Sequence, residues 1–227
     1  MTAARRSHRA ARLLAGVVIA VGAMLLSACA SGTTVSSTPG LNGTTGWHGT
    51  PVPHGYPLPA DRFTDTHQKS VTLAGEATTP ITLVFFGYTH CPDICNVVLA
   101  NIAAALRESR PAVRAKIHMV FVSTDPQRDT PPVMREYLDR FNHSFVGLVA
   151  PVDTVAKAAR SLYISYEKPD GTLSGNYTVQ HGTYTTGFVH GKAAVVWSDV
   201  TTVADLRSDL ARLTGLAASS AQSGSPG

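Results

Sequence analysis

The stretch Ile81-Thr82-Leu83-Val84-Phe85-Phe86-Gly87-Tyr88-Thr89-His90-Cys91-Pro92-Asp93-Ile94-Cys95 decides how this chain folds. Its first six residues form a short, mostly apolar run between Pro80 and Gly87, which predicts a strand buried in the middle of a sheet. Downstream, Ile94, Val98, Ile102, Ala105 and Leu106 recur at helical spacing. Pro92 stands where a first helical turn tolerates a residue without an N–H. The two cysteines thus fall where a strand hands over to a helix, whose free N–H groups and positive dipole end favour thiolate over thiol. A pair four apart that begins in a loop can also turn both sulfurs toward one point.

Outward from this stretch the same alternation continues. Residues 117–122 predict a second strand, and Pro131-Pro132 opens a helix on which Met134, Leu138 and Phe141 form one stripe. Residues 145–149 read as a third strand and 152–162 as a helix. Residues 163–168 read as an extended segment ending in the turn Pro169-Asp170-Gly171. The runs 183–189 and 193–197 flank His190-Gly191-Lys192 as a hairpin, and a last helix carries Val203, Leu206, Leu210 and Leu213 on one face. This order predicts an α/β domain, a thioredoxin-like mixed β-sheet flanked by helices on both faces.

The ends have a different composition. Arg5, Arg6, Arg9 and Arg12 precede the apolar residues 13–26, and small residues follow up to Cys29, the pattern of an export signal. The apolar run is too short for a bilayer span of about 20 residues. Leu26-Ser27-Ala28-Cys29 resembles a bacterial lipobox, which implies a signal peptide over 1–28 and a lipid anchor on Cys29, with the protein exported and held at the extracytoplasmic side of the cell membrane. Residues 29–60, rich in Ser, Thr, Gly and Pro, read as a flexible tether whose last part packs at the domain edge. The domain is expected over 61–216, and 217–227 as a disordered tail. The formal charge of +4 carries no signal for nucleic acid: four of the 19 basic residues lie in the signal peptide, leaving 15 against 15 acidic residues.

With Cys29 as an anchor, Cys91 and Cys95 are the two remaining thiols. Such a pair forms a disulfide, binds a metal, or alternates between the two. Two thiolates select copper(I), and an added imidazole suits the site to copper(II) as well.

Three motifs then resemble the Sco (SenC) family of copper chaperones for cytochrome c oxidase. They are residues 87–95 around the cysteines, Val122-Ser123-Thr124-Asp125-Pro126-Gln127-Arg128-Asp129-Thr130-Pro131 after the second strand, and Tyr177-Thr178-Val179-Gln180-His181. The resemblance spans roughly residues 57–213. It implies copper bound by Cys91, Cys95 and His181, with Asp125 in a supporting position near the metal. It also implies delivery to the binuclear copper site of the oxidase's copper-bearing subunit, with an extracytoplasmic copper donor or thiol reductant as a further partner. The alternative is a thiol-disulfide oxidoreductase, in which Cys91 and Cys95 are a redox-active pair acting on the oxidase subunit's cysteines. The chain departs from the family at Asn96, where proline is common, and in the short His190-Gly191-Lys192 turn.

Other residues have plainer expectations. His90 points away from the cysteines, because adjacent side chains in an extended segment face opposite ways. His48, His54 and His67 read as solvated, and Arg128 with Asp129 as an ion pair within its loop.

Overall fold

The computed structural model describes residues 46–167 and 177–223. The expected signal peptide, Cys29, most of the expected tether, the turn expected at residues 169–171 and the last four residues lie outside the described residues.

Eight strands form one mixed sheet among the described residues: β1 (Thr50–Pro51), β2 (Arg62–Asp65), β3 (Ser70–Thr72), β4 (Ile81–Gly87), β5 (Ile117–Ser123), β6 (Val146–Val149), β7 (Thr185–Val189) and β8 (Lys192–Trp197). Their spatial order is β1-β8-β7-β4-β5-β6-β2-β3. All seven residues of β4 are buried, as its composition requires of a strand covered on both faces. It runs parallel to β5 and antiparallel to β7.

Alternation along β4 divides the core. Ile81, Leu83 and Phe85 face one cluster, packed under α1 (Ile94–Glu108), α3 (Pro131–Asp139) and α5 (Val203–Ser223). Val84 and Phe86 face the other, under α4 (Val152–Ser161). A short α2 (Pro111–Arg114) joins α1 to β5, with Pro111 in its first turn. The expected sheet with helices on both faces is thus present, three long helices on one side and one on the other. The hairpin β7–β8 turns on His190 and Gly191, both at positive φ (48° and 76°), the backbone of a two-residue turn that matches strand twist.

Four expectations need correction. The helix after β4 begins at Ile94 and not at Pro92, since Asp93 has non-helical angles (φ −142°, ψ −81°). The tether is shorter than expected, because β1 pairs with β8, Leu58 is buried and Trp47 packs against the core. His48 is correspondingly engaged, its Nδ1 2.9 Å from Asp205. At the other end α5 continues to Ser223, because Ala217 extends the apolar stripe of Leu210 and Leu213 and is itself buried.

One buried carboxylate fastens the N-terminal strap. Asp209 accepts from the Trp197 indole N–H (2.8 Å) and from the backbone N–H groups of Gly49 (2.8 Å) and His48 (3.1 Å). Asp209→Ala strands these donors and is expected to lower unfolding free energy by about 3 kcal/mol. The check is a lower urea midpoint at unchanged slope. A loss below about 1 kcal/mol would mean that the strap is held by its apolar contacts alone.

Candidate functional site

The site stands at the C-terminal end of β4, where open α/β sheets gather ligands. Gly87 ends the strand under a tight constraint: a Cβ there would lie 2.9 Å from the Phe121 ring and 3.0 Å from the Cys95 sulfur. A bare backbone at this position is what lets Cys95 sit over the strand end. Thr124 N–H donates to the Gly87 carbonyl (2.7 Å), joining the loop after β5 to the loop after β4.

Because the helix starts at Ile94, the two cysteines occupy different surroundings. Cys91 lies in the loop, 8% exposed, and Cys95 lies in the first helical turn with no exposure. Neither is in a disulfide. The Cys91 thiol is pulled down to about 4, foremost by the hydrogen bond from the Cys95 thiol. Burial opposes this shift, whereas the His181 ring and the N–H groups of Cys95 and Asp93 assist it. The Cys95 thiol is pushed far up by the same hydrogen bond and by burial. The shared hydrogen bond thus favours the thiolate on Cys91 and the proton on Cys95.

His181 meets this pair from 86 positions downstream, its Nε2 3.9 Å from the Cys95 sulfur. Its Nδ1 is 3.0 Å from the Gly182 carbonyl, which can only accept, so Nδ1 donates there and Nε2 faces the sulfurs. The ring stands edge-on to Tyr88 (5.8 Å, 86°) and Phe85 (6.4 Å, 75°). The segment is tied by a backbone bridge from His181 to Tyr166 and by Gly182 N–H to the Ser165 carbonyl (2.8 Å). The structure thus brings together the three residues named from the sequence. Among the described residues no group of three His, Cys, Asp or Glu side chains is already closed around one point. With metal–ligand bonds of about 2.0 to 2.3 Å, two ligands of one ion sit roughly 3.5 to 3.7 Å apart. The observed 3.9 Å needs only a small inward shift.

Asp125 lies behind these residues with both oxygens engaged, one by Arg128 Nε and the other by the Tyr177 hydroxyl (2.6 Å). Arg128 is therefore the partner of Asp125, not of Asp129. Asp129 is fully buried and accepts from Ser123 Oγ (2.6 Å), Thr89 Oγ1 (2.6 Å) and Thr89 N–H (3.1 Å), while burial pushes its carboxyl up. Sequence reasoning gave Asp129 no role at the cysteine loop, and its depth was the missing information. His90 is 52% exposed, with Nδ1 2.9 Å from Thr89 Oγ1, and belongs to the rim. Asn96 accepts from the Tyr137 hydroxyl (3.0 Å), tying α1 to α3. A groove of about 510 Å³, lined by His90, Pro92, Arg128, Tyr177 and Thr178, opens beside the cysteine loop.

Sheet order, helix placement and a cysteine pair at a strand end define a thioredoxin-like domain whose dithiol lies beside a histidine. The SCO1/SenC family matches residues 61–212, and the chain belongs to that family. The apo Sco1 protein from Thermus thermophilus superposes with a TM-score of 0.64 at 29% identity, over 75% of this chain and 96% of that one. Bradyrhizobium japonicum ScoI, solved with copper bound, gives 0.59 at 32% identity, over 70% and 99%. In sequence, the mitochondrial SCO1 homolog 1 of Arabidopsis thaliana is 36% identical over 100 residues, 44% of this chain and 30% of that protein. The chain spans about a third of the length of that relative and of mitochondrial SCO2 from Saccharomyces cerevisiae.

The split between the thiols makes a kinetic prediction for the metal-free, reduced protein. Iodoacetamide should modify Cys91 and spare Cys95, at a rate flat from about pH 5 to 8 because the thiolate is already formed there. The rate should fall only as pH drops through about 4. Mass spectrometry locates the label, and a rate that climbs tenfold per pH unit up to 8 would contradict a preformed thiolate.

Proposed function

We propose that this protein is a copper carrier: Cys91, Cys95 and His181 bind one copper ion and pass it to the binuclear copper site of cytochrome c oxidase. It would work from a lipid anchor on Cys29 at the extracytoplasmic face, a reading supported by Leu26-Ser27-Ala28-Cys29. Among the described residues no helix is long and apolar enough to cross a membrane. The observation that carries the proposal is the approach of His181 Nε2 to the dithiol at 3.9 Å. Two sulfurs and an imidazole form a soft donor set suited to copper in either oxidation state.

Copper is here the cargo, and the protein's part is to offer ligands and to manage one proton. Cys91 supplies a thiolate at neutral pH, while Cys95 must lose its proton as the ion enters. Copper(I) binding to the reduced protein at pH 7 is therefore expected at one equivalent with release of about one proton. Titration in a weakly buffered indicator solution reads both numbers, and release of two protons would contradict the split. His181→Ala should weaken copper(II) binding at least about tenfold and change its thiolate-to-copper absorption, since one of three ligands is gone. Unchanged copper(II) binding by that variant would overturn the three-ligand site.

The same asymmetry favours a second activity, thiol-disulfide exchange with the cysteines of the oxidase subunit. The Cys91 thiolate, the more exposed of the two sulfurs, attacks a target disulfide, forming a mixed disulfide and expelling one target thiolate. Cys95 then attacks the Cys91 sulfur, its proton passing to the departing second target sulfur, which leaves a Cys91–Cys95 disulfide and a reduced target. Cys95→Ser is expected to trap the mixed disulfide at Cys91, detectable by mass. Failure to trap one with an oxidised target peptide, at rates no greater than glutathione's, would remove this reading.

A further inference from the structure

We infer that Asp125, Arg128 and Tyr177 form a latch that holds the His181 segment against the cysteine loop, which makes Tyr177 a positioning residue for the histidine ligand. The inference rests on the copper-carrier reading for its purpose, and on geometry for its existence.

The Asp125 carboxylate has no solvent exposure, and the side-chain donors to its two oxygens are Arg128 Nε and the Tyr177 hydroxyl. A buried carboxylate with two donors depends on both of them. Arg128 then grips Tyr177 twice more: its guanidinium lies 3.6 Å from the ring centroid, and its Nη2 donates to the Tyr177 carbonyl (3.1 Å). The same guanidinium lies 5.7 Å from the centroid of Tyr88, whose ring stands edge-on to His181. One arginine thus bridges the residue that begins the histidine segment and a ring that flanks the histidine itself. A planar cation suits this position, because it can stack on a ring and hydrogen-bond in its own plane together.

Past Tyr177 the segment is also held by the Val179 N–H, which donates to the Tyr88 hydroxyl, and by the bridge from His181 to Tyr166. Val179 is buried in the core, Glu167 N–H donates to the Gln180 carbonyl (3.0 Å), and Gly182 N–H donates to the Ser165 carbonyl. Losing the Tyr177 contacts therefore removes one hold on the short span that carries His181 and Gly182. The consequence is local loosening of His181 with the sheet intact.

Tyr177→Phe tests this by removing the hydroxyl and keeping the ring. In the metal-free protein the Gly182 amide is expected to exchange about tenfold faster, with the amides of β4 and β5 unchanged. With copper(II) bound, the thiolate-to-copper absorption is expected to persist while the histidine nitrogen coupling in the EPR spectrum weakens. Arg128→Lys, which keeps the charge and loses the planar stack, is expected to move both readouts in the same direction, and it carries the test should Tyr177→Phe not fold. Unchanged Gly182 exchange, or an equal rise across β5, overturns the latch. A wild-type protein that binds no copper overturns the carrier reading, and the exchange measurement on metal-free protein still decides the latch.

Discussion

Two carboxylates without solvent exposure, Asp125 and Asp129, follow the end of β5, and their demand for donors governs how the loops around the dithiol close. An ionised or hydrogen-bonding group taken out of water must be paired or it costs several kcal/mol. Asp129 draws Thr89, two residues before Cys91, by both its N–H and its hydroxyl. Asp125 draws Arg128 from its own loop and Tyr177 from the histidine segment. One loop of the β4–β5 pair thereby holds both the cysteine loop and the histidine segment, and the sheet beneath gives all three a common floor. The meeting of His181 with the sulfurs follows from these ties and from the edge contacts of its ring with Tyr88 and Phe85.

What the sequence made legible was whatever depends on local periodicity. β4 announced itself as an apolar run between Pro80 and Gly87, and α1 as a stripe through Val98, Ile102 and Leu106. The hairpin was readable because His190-Gly191 accepts the positive φ that its turn needs. Boundaries set by packing were not readable. Nothing local distinguishes Thr50-Pro51 from the rest of a Ser/Thr/Gly/Pro stretch until Val195 and Val196 offer an unpaired strand edge. Ala217 looked like the start of a tail because its burial depends on packing into the core cluster with Leu210 and Leu213.

The site divides along the same line. Cys91 and Cys95 could be placed at the strand-to-helix junction from spacing alone, whereas His181 was one of nine histidines until the family resemblance selected it. Arg128 was read as the partner of its neighbour Asp129, a sound default for adjacent opposite charges. In the structure the Arg128 side chain turns to Asp125, three positions back, and Asp129 turns inward to Ser123 and Thr89. Such a choice depends on which side chain faces the core, and that is fixed by the whole sheet and not by the loop.

The ties differ in strength on the two sides of the dithiol, and this bears on how an ion would leave. The cysteine loop is fastened before Cys91 through Thr89 and Asp129, and after Cys95 through Asn96 and the Tyr137 hydroxyl. Its intervening turn closes on Cys91 N–H and the Tyr88 carbonyl. The two sulfurs are therefore a fixed platform, and the departure from proline at Asn96 adds a cross-link to it. The histidine arrives on a short irregular segment held by a few hydrogen bonds and one stacked ring. On the carrier reading, this makes the imidazole the ligand that yields first. Its withdrawal would leave a cuprous ion on two thiolates with an open position beside the groove at Cys91, where an incoming ligand could begin exchange. On that reading, a sulfur pair tied on both sides and a nitrogen on an irregular segment would let a carrier hold its cargo and still open along one path.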